Sequence, residues 1–289
     1  MRLQLKKVQS TTIIKGIAFV IFFIYALSLL YPFVFAFLAS MRNNVDYLRD
    51  PVKLPEAFTL VNYVTAFEEL AAITPGFNFL EIMINSFSYT LTCALCSVIA
   101  PTLTAYVLAK YEFPCKKILY GVAIFIMVIP IVGTLPAMYK LVKVDLQIDN
   151  MTGMGILAFG GFNFNFFLLY GYFKGVSWSY AEAGFIDGAG HFKVFLRIML
   201  PQAAPAIASV AIISAINYWN DYYTPLLYLG KWTPVLSYAL YEYGLQMVRE
   251  SNYPVYFAGA LFGILPILFI YVACQKMIMK NTVAGGLKG

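Results

Sequence analysis

The sequence predicts an all-α polytopic membrane protein with six transmembrane helices, and three observations carry that prediction. Hydrophobic residues make up 61% of the 289 and charged residues only 12%, with a mean hydropathy of +0.74, the balance of a chain that lives in a bilayer rather than in water. Six uncharged runs, 16–38, 82–109, 118–139, 150–173, 198–220 and 251–275, are each long enough to cross about 30 Å of hydrocarbon as a helix. Lipid offers no partner to backbone N–H and C=O groups, so each span must satisfy its own and is expected to be helical. Charge supplies the third observation. With both ends on one side, that side carries thirteen Lys and Arg against three acids, net +10, and the other carries seven against eleven, net −4. An excess of Lys and Arg marks the cytoplasmic face, so both termini are expected there. The basic balance therefore reports topology, and it calls for membrane lipid rather than nucleic acid as its partner.

Taken in order, the chain begins with a short basic segment, Arg2, Lys6, Lys7 and Lys15, suited to anionic headgroups. The first run is too long for a signal-peptide core, and Phe37 and Ala39 do not form a small-residue cleavage pattern, so it is expected to stay in the protein. Residues 41–81 form the one long polar region, punctuated by Pro51, Pro55 and Pro75, and read as an external loop. The second span holds Cys93 and Cys96, a spacing that in an apolar helix reads as two small buried groups rather than a redox or metal pair. It turns at Pro114 with Lys116 and Lys117 behind it. In the third span Pro130 and Pro136 remove backbone donors, and kinks are expected there. An external turn over 140–149 leads to a fourth span that mixes glycine, asparagine and aromatic residues. No stretch marks a separate soluble domain, so residues 1–289 are expected to be one transmembrane domain with its core spans within 82–277.

Between the fourth and fifth spans lies a segment of different character, residues 177–201. Glu182, Asp187, Lys193 and Arg197 would each cost about 2.5–3.5 kcal/mol at the centre of a bilayer, which keeps this segment in water or against another protein. Ser179-x-x-Glu182 reads as a capping box that starts a helix. Ala181, Gly184 and Gly188 fall on one face of it, a smooth strip that would let another surface approach the backbone. Gly188 and Gly190 break that helix. A second one is predicted over 192–199 with Phe192, Phe195, Leu196 and Met199 inward, and Pro201 opens the next element. The sixth span contains Gly259-x-x-x-Gly263, a helix-packing spacing.

The segment from Glu182-Ala183-Gly184 through Ile186-Asp187-Gly188-Ala189 to Ile198, Leu200 and Pro201 resembles the coupling loop of the inner-membrane permease subunits of binding-protein-dependent ABC importers, in their carbohydrate, maltose-transporter-like branch. The likeness extends to Ala105-Tyr106-x-x-Ala109-Lys110 at the end of the second span and Trp219-Asn220-Asp221 with Pro225-Leu226 after the fifth. It also takes in Leu54-Pro55-Glu56 and Asn62-Tyr63 in the external loop and the glycine-rich Lys288-Gly289 ending. Two positions depart from the family pattern: Gly184 stands where a second alanine is usual, and Ser177 where a proline commonly precedes the loop.

The resemblance implies a type I ABC importer permease fold. It implies a second homologous permease subunit, two ABC ATPase subunits that bind ATP and Mg, an external solute-binding protein and a carbohydrate substrate. It implies a bacterial or archaeal inner membrane, and a coupling role for Glu182, Ala183, Gly184, Asp187, Gly188, Arg197 and Pro201. The alternatives are an ABC permease for a non-sugar solute, an ATP-independent secondary carrier and an intramembrane enzyme. The six runs hold no ionisable residue of the kind ion coupling uses. The chain has no G-x-x-x-x-G-K-[ST] loop, no H-E-x-x-H, and a single histidine, His191, so no catalytic residue, metal site or resident cofactor is expected in it.

For the pathway, sugars are recognised by amides and by aromatic faces near mid-membrane. Asn163, Phe167 and Tyr170 share one face of the fourth span, with Asn165 roughly 200° away by the helical period. Ser214, Asn217 and Asp221 form a stripe on the fifth. The competing reading is that these polar groups bond helix to helix.

The topology has a direct check: reporter fusions after Lys116, Arg197 and Lys280 should all score cytoplasmic, and an external score at any of them would refute the six-span arrangement.

Overall fold

The computed structural model describes residues 2–129 and 133–286, with the side-chain surroundings of 14–129 and 133–275. Pro130, the terminal basic side chains from Arg2 to Lys7, Lys276, Lys280 and the Leu287–Gly289 ending lie outside that description. Every regular element among the described residues is helical, with α-helices in the order α1 (Arg2–Ser40), α2 (Asn44–Arg49), α3 (Val61–Ala72), α4 (Phe79–Lys110), α5 (Lys116–Val128), α6 (Leu135–Tyr139), α7 (Met151–Ala158), α8 (Phe164–Gly175), α9 (Ser179–Ile186), α10 (His191–Val194), α11 (Leu200–Asn220), α12 (Tyr223–Tyr228), α13 (Leu236–Glu250) and α14 (Tyr253–Gly286).

Four stretches are continuous helix of spanning length and apolarity: Ile14–Ser40, Phe79–Lys110, His191–Asn220 and Tyr253–Gln275. The third and fourth apolar runs, expected as unbroken helices, are each interrupted. Run three stops at the end of α5, resumes at α6 with Pro136 in its first turn, and widens into a π-turn over Lys140–Asp145. Pro136 therefore starts a helix instead of kinking one, because its missing N–H is harmless in a first turn. Run four breaks between α7 and α8, where Gly160 and Gly161 are poor helix formers and the Asn163 carboxamide caps α8 by accepting from the Phe166 N–H at 3.1 Å. The six runs thus give an all-α polytopic fold of four continuous and two discontinuous spans.

The chain divides into two compact units, residues 1–70 with 243–262, and residues 71–242 with 263–289. In the first, the polar region that follows α1 is more regular than its proline content suggests. Asn62 donates to the Ser40 and Arg42 carbonyls, both at 2.7 Å, and Ser40 Oγ meets the Tyr63 hydroxyl at 2.7 Å. These bonds seat α3 on the end of α1. The Tyr47 ring packs on Tyr253 and Phe257 at 5.8 and 6.0 Å, and Gly259 lets the Tyr243 ring approach so closely that a β-carbon there would lie 2.7 Å from it.

In the second unit α4 is the axis, with α7, α8 and α11 packed along it. It opens with a capping box, Asn78 accepting from the Glu81 N–H at 3.0 Å while Glu81 accepts from the Asn78 N–H at 2.8 Å. Val98, Tyr106, Phe166, Leu169, Phe173, Phe195 and Met199 build one buried cluster. Tyr89, Cys93, Met154, Tyr228 and Leu229 build another, so Cys93 serves as a packing group. Gly263, the second glycine of the packing motif, admits Leu240 at 2.8 Å from its would-be β-carbon.

One carboxylate in the first unit is out of place. Glu69 on α3 has a buried Oε2 without a hydrogen-bond partner among the described residues, and burial followed by the nearby Glu250 carboxylate raises its pKa. A carboxyl whose pKa is raised in the folded state stabilises it while protonated and loses that contribution as pH rises through the raised value. Thermal unfolding followed from about pH 5 to pH 8 should show stability falling with pH, and Glu69→Gln should flatten the slope. Equal slopes in the two proteins would mean that Glu69 ionises as it does in water.

Candidate functional site

The charged segment between spans folds as predicted in outline, a helix, a glycine turn and a second helix, but its packing differs from the sequence reading at each step. Helix α9 begins on Trp178, whose carbonyl accepts from Ala181 and Glu182 N–H groups at 2.8 and 3.1 Å. Ser179 is already inside the helix, so the expected Ser179–Glu182 capping box does not form. Ser177 does the local work, its hydroxyl meeting Ser179 Oγ at 2.7 Å and accepting from the Ser179 N–H at 3.3 Å. Glu182 is exposed in the first turn of α9, where a negative charge suits the helix dipole.

The small-residue strip faces inward. Ala181 is fully buried, and a β-carbon at Gly184 would lie 2.5 Å from Ile198 Cδ1 and 3.1 Å from Val194 Cγ2. The close approach that Gly184 permits is therefore to the chain's own second helix, not to a partner. Gly188 has open space around it and a φ of +78°, the left-handed conformation that favours glycine. The turn is closed by Gly188 N–H to the Phe185 carbonyl and Ala189 N–H to the Gly184 carbonyl, both 3.0 Å, a helix ending of Schellman type.

The second helix is not a separate element. α10 runs through a π-turn, Phe195–Met199, into α11 without interruption. Pro201 stands at the head of α11; its ring cannot accept the usual helical contact with the carbonyl four residues back, and the wider turn relieves the clash. The buried face is Val194, Phe195 and Met199, with Ile198 packed beside them. Phe192 and Leu196, expected inside, are 71% and 42% exposed, because the π-turn shifts the register of the inward stripe.

What the loop presents to its surroundings is Tyr180, Ala183, Ile186, Asp187, Phe192 and Arg197. Ile186 is 86% exposed. Large apolar side chains exposed on a charged loop, Ile186 and Phe192 above all, are unfavourable in water and suit a protein interface. The sequence reading overlooked Ile186. Its signal was its place opposite the Ala181–Gly184 face. Behind this surface the loop is tied to the end of α4. The Tyr111 hydroxyl meets His191 Nδ1 at 3.0 Å, Tyr111 packs on Tyr106, Trp178 and His191 at 5.5–5.6 Å, and the Lys110 ammonium donates to the Val176 carbonyl.

The expected pathway residues fall into two groups. Asn163 caps α8, and Asn165, which helical spacing set aside, reaches the Ser97 carbonyl at 3.1 Å and Ser214 Oγ at 2.9 Å. Ser214 is buried at that contact. Phe167 and Tyr170 lie half-buried against Tyr120, and Asn217 is exposed. Asp221 accepts from the Tyr89 hydroxyl at 3.1 Å and from the Tyr223 and Thr224 N–H groups at 3.0 Å, while Trp219 donates to the Gly263 carbonyl at 3.0 Å. The Trp-Asn-Asp segment therefore holds helices together. Among the described residues no group of three His, Cys, Asp or Glu could hold a metal ion.

An all-α membrane protein with discontinuous spans and a charged loop continuous with a spanning helix is the architecture of a transport permease. Residues 98–281 match the model of the binding-protein-dependent transport system inner membrane component family, and the chain belongs to that family of ABC importer permeases. Over 94% of this chain and 96% of its own length, the arabinooligosaccharides transport system permease protein of Bacillus subtilis is 30% identical. The diacetylchitobiose uptake system permease protein of Streptomyces coelicolor is 26% identical over 93% of this chain and 88% of its own. Among solved structures, a chain of a bacterial ABC transporter involved in the import of the acidic polysaccharide alginate superposes with a TM-score of 0.74, 26% identity, and coverage of 92% and 97%.

Two substitutions test the loop's internal construction. Gly184→Val should destabilise it by about 1–3 kcal/mol through overpacking against Ile198. Gly188→Ala, with room for its methyl group, should cost only about 1 kcal/mol, from the left-handed backbone. Protease cleavage between α9 and α10 in the detergent-solubilised protein reads both, and equal protection in the two variants would contradict the inward packing of Gly184.

Proposed function

We propose that this chain forms half of the translocation pathway for a carbohydrate and pairs with a second, homologous permease. Its 177–201 loop lies in the cytoplasm, as do both termini, and docks there on an ABC ATPase subunit. ATP and Mg are bound and ATP is hydrolysed by those partners, and the chain carries no cofactor of its own. A solute-binding protein delivers the sugar from outside. The carbohydrate assignment rests on the relatives, whose names specify oligosaccharide and polysaccharide uptake. The coupling assignment rests on one observation: Ile186 and Phe192, 86% and 71% exposed, stand on a loop whose second helix continues into a span.

Docking that buries one such side chain is worth about 1.5–3 kcal/mol, and continuity of helix carries displacement of the loop into the membrane. Nucleotide-bound ATPase subunits need only favour one arrangement of the spans by a few kcal/mol to drive alternating access. Ile186→Asp and Phe192→Asp should each weaken co-purification of the ATPase about tenfold or more, with the permease pair still assembled. Wild-type ATPase retention in both variants would remove the loop from the coupling interface. Titration of the partner binding protein with mono- and oligosaccharides then identifies the solute.

A further inference from the structure

Contacts along α4 trace the course of the interrupted fourth run. Gly155 on α7 lies beside Thr92 and Cys96, its would-be β-carbon 2.8 and 3.3 Å from them. The Gly161 carbonyl accepts from Thr104 Oγ1 at 2.7 Å, seven residues further along α4 than Ser97. Asn163 and Asn165 both point their carboxamides back to the Ser97 carbonyl, at 3.5 and 3.1 Å, and α8 then runs down to Val176, whose carbonyl meets Lys110. Residues 159–163 thus form an irregular break inside a stretch that is otherwise apolar helix.

The polar groups of this loop are only partly satisfied. Phe159 and Gly160 N–H groups bond to Ile156 and Ala158 carbonyls at 3.1 and 2.8 Å. The N–H groups of Gly161, Phe162 and Asn163 find no acceptor among the described residues. The chain covers the segment only in part: Phe162 packs on Phe166, but Phe159 is 51% exposed and nothing lies within 4 Å of a β-carbon at Gly160. Irregular backbone at membrane depth with unmade hydrogen bonds is not stable against lipid and persists only inside protein or along a water-filled cavity.

We infer that residues 159–163 line the aqueous solute pathway and offer their N–H groups to the hydroxyl oxygens of the passing solute. Uncharged hydroxylated molecules and water both supply the missing acceptors, as unwound segments of discontinuous helices do in other transporters. This rests on the permease reading above and moves the pathway from the helical face Asn163–Phe167–Tyr170 to the backbone of the break itself. Gly160 has room for substitution but sits where any side chain would project into the pathway.

The test is thiol labelling in the assembled transporter in proteoliposomes, in a background with the four native cysteines replaced. Gly160→Cys and Phe159→Cys should react with a charged, membrane-impermeant methanethiosulfonate about tenfold or more faster than Ile156→Cys and Leu168→Cys, because only a hydrated thiol ionises. Ile156 and Leu168 are 65% and 42% exposed on regular helix and serve as lipid-facing references. Equal rates at all four positions would overturn the inference. Reaction in the isolated chain that disappears on assembly would also overturn it, since a second permease would then cover the loop. The permease reading is judged separately, by ATP-dependent uptake with wild-type protein, so loss of uptake and loss of labelling are distinct results.

Discussion

A backbone amide in hydrocarbon has no solvent to bond with, and most of this structure follows from that single constraint. Each unmade hydrogen bond costs several kcal/mol there, so continuous helix is the default and every departure from it needs a cause. In α5–α6 the break is followed by Gly133, with a φ of +83°, and Pro136 in a first turn, where no donor is lost. At the π-turn before Pro201 the ladder widens by one residue and keeps its bonds, Leu200 N–H reaching the Phe195 carbonyl. Between α7 and α8 Asn163 and Thr104 side chains make good part of the loss.

The same economy shapes the loop between spans four and five. It has no independent core: Ala181, Val194, Phe195 and Met199 belong to the buried cluster of α4, α8 and α11. Tyr111, the residue that ends α4, contacts both Trp178 before the loop's first helix and His191 at the start of its second. Ile186 and Phe192 therefore stand on packed side chains and on a helix of thirty residues, in an interior packed at crystal-like density rather than on a hinge.

Polar side chains within the spans divide by the same logic. Asn165, Ser214 and Asp221 are consumed in bonds between helices or at helix ends, each worth about 1 kcal/mol in a membrane. Asn217, by contrast, is exposed on α11.

The sequence by itself determined the class of protein, the positions of the six apolar runs and the identity of the charged loop, because these depend on summed transfer energies and on motif spacing that no fold can alter. It also located Gly188, whose role is local backbone geometry. What it could not decide was which way side chains point once helices break or change pitch. A uniform 3.6-residue period put Phe192 inward and separated Asn165 from Asn163; a π-turn in one case and a helix break capped by Asn163 in the other reversed both. Gly184 is the same lesson in packing. Its lack of a side chain was legible as a site of close approach, but whether the approaching surface was a partner or Ile198 of the same chain depended on how α10 folds back over α9, and only the tertiary structure fixes that.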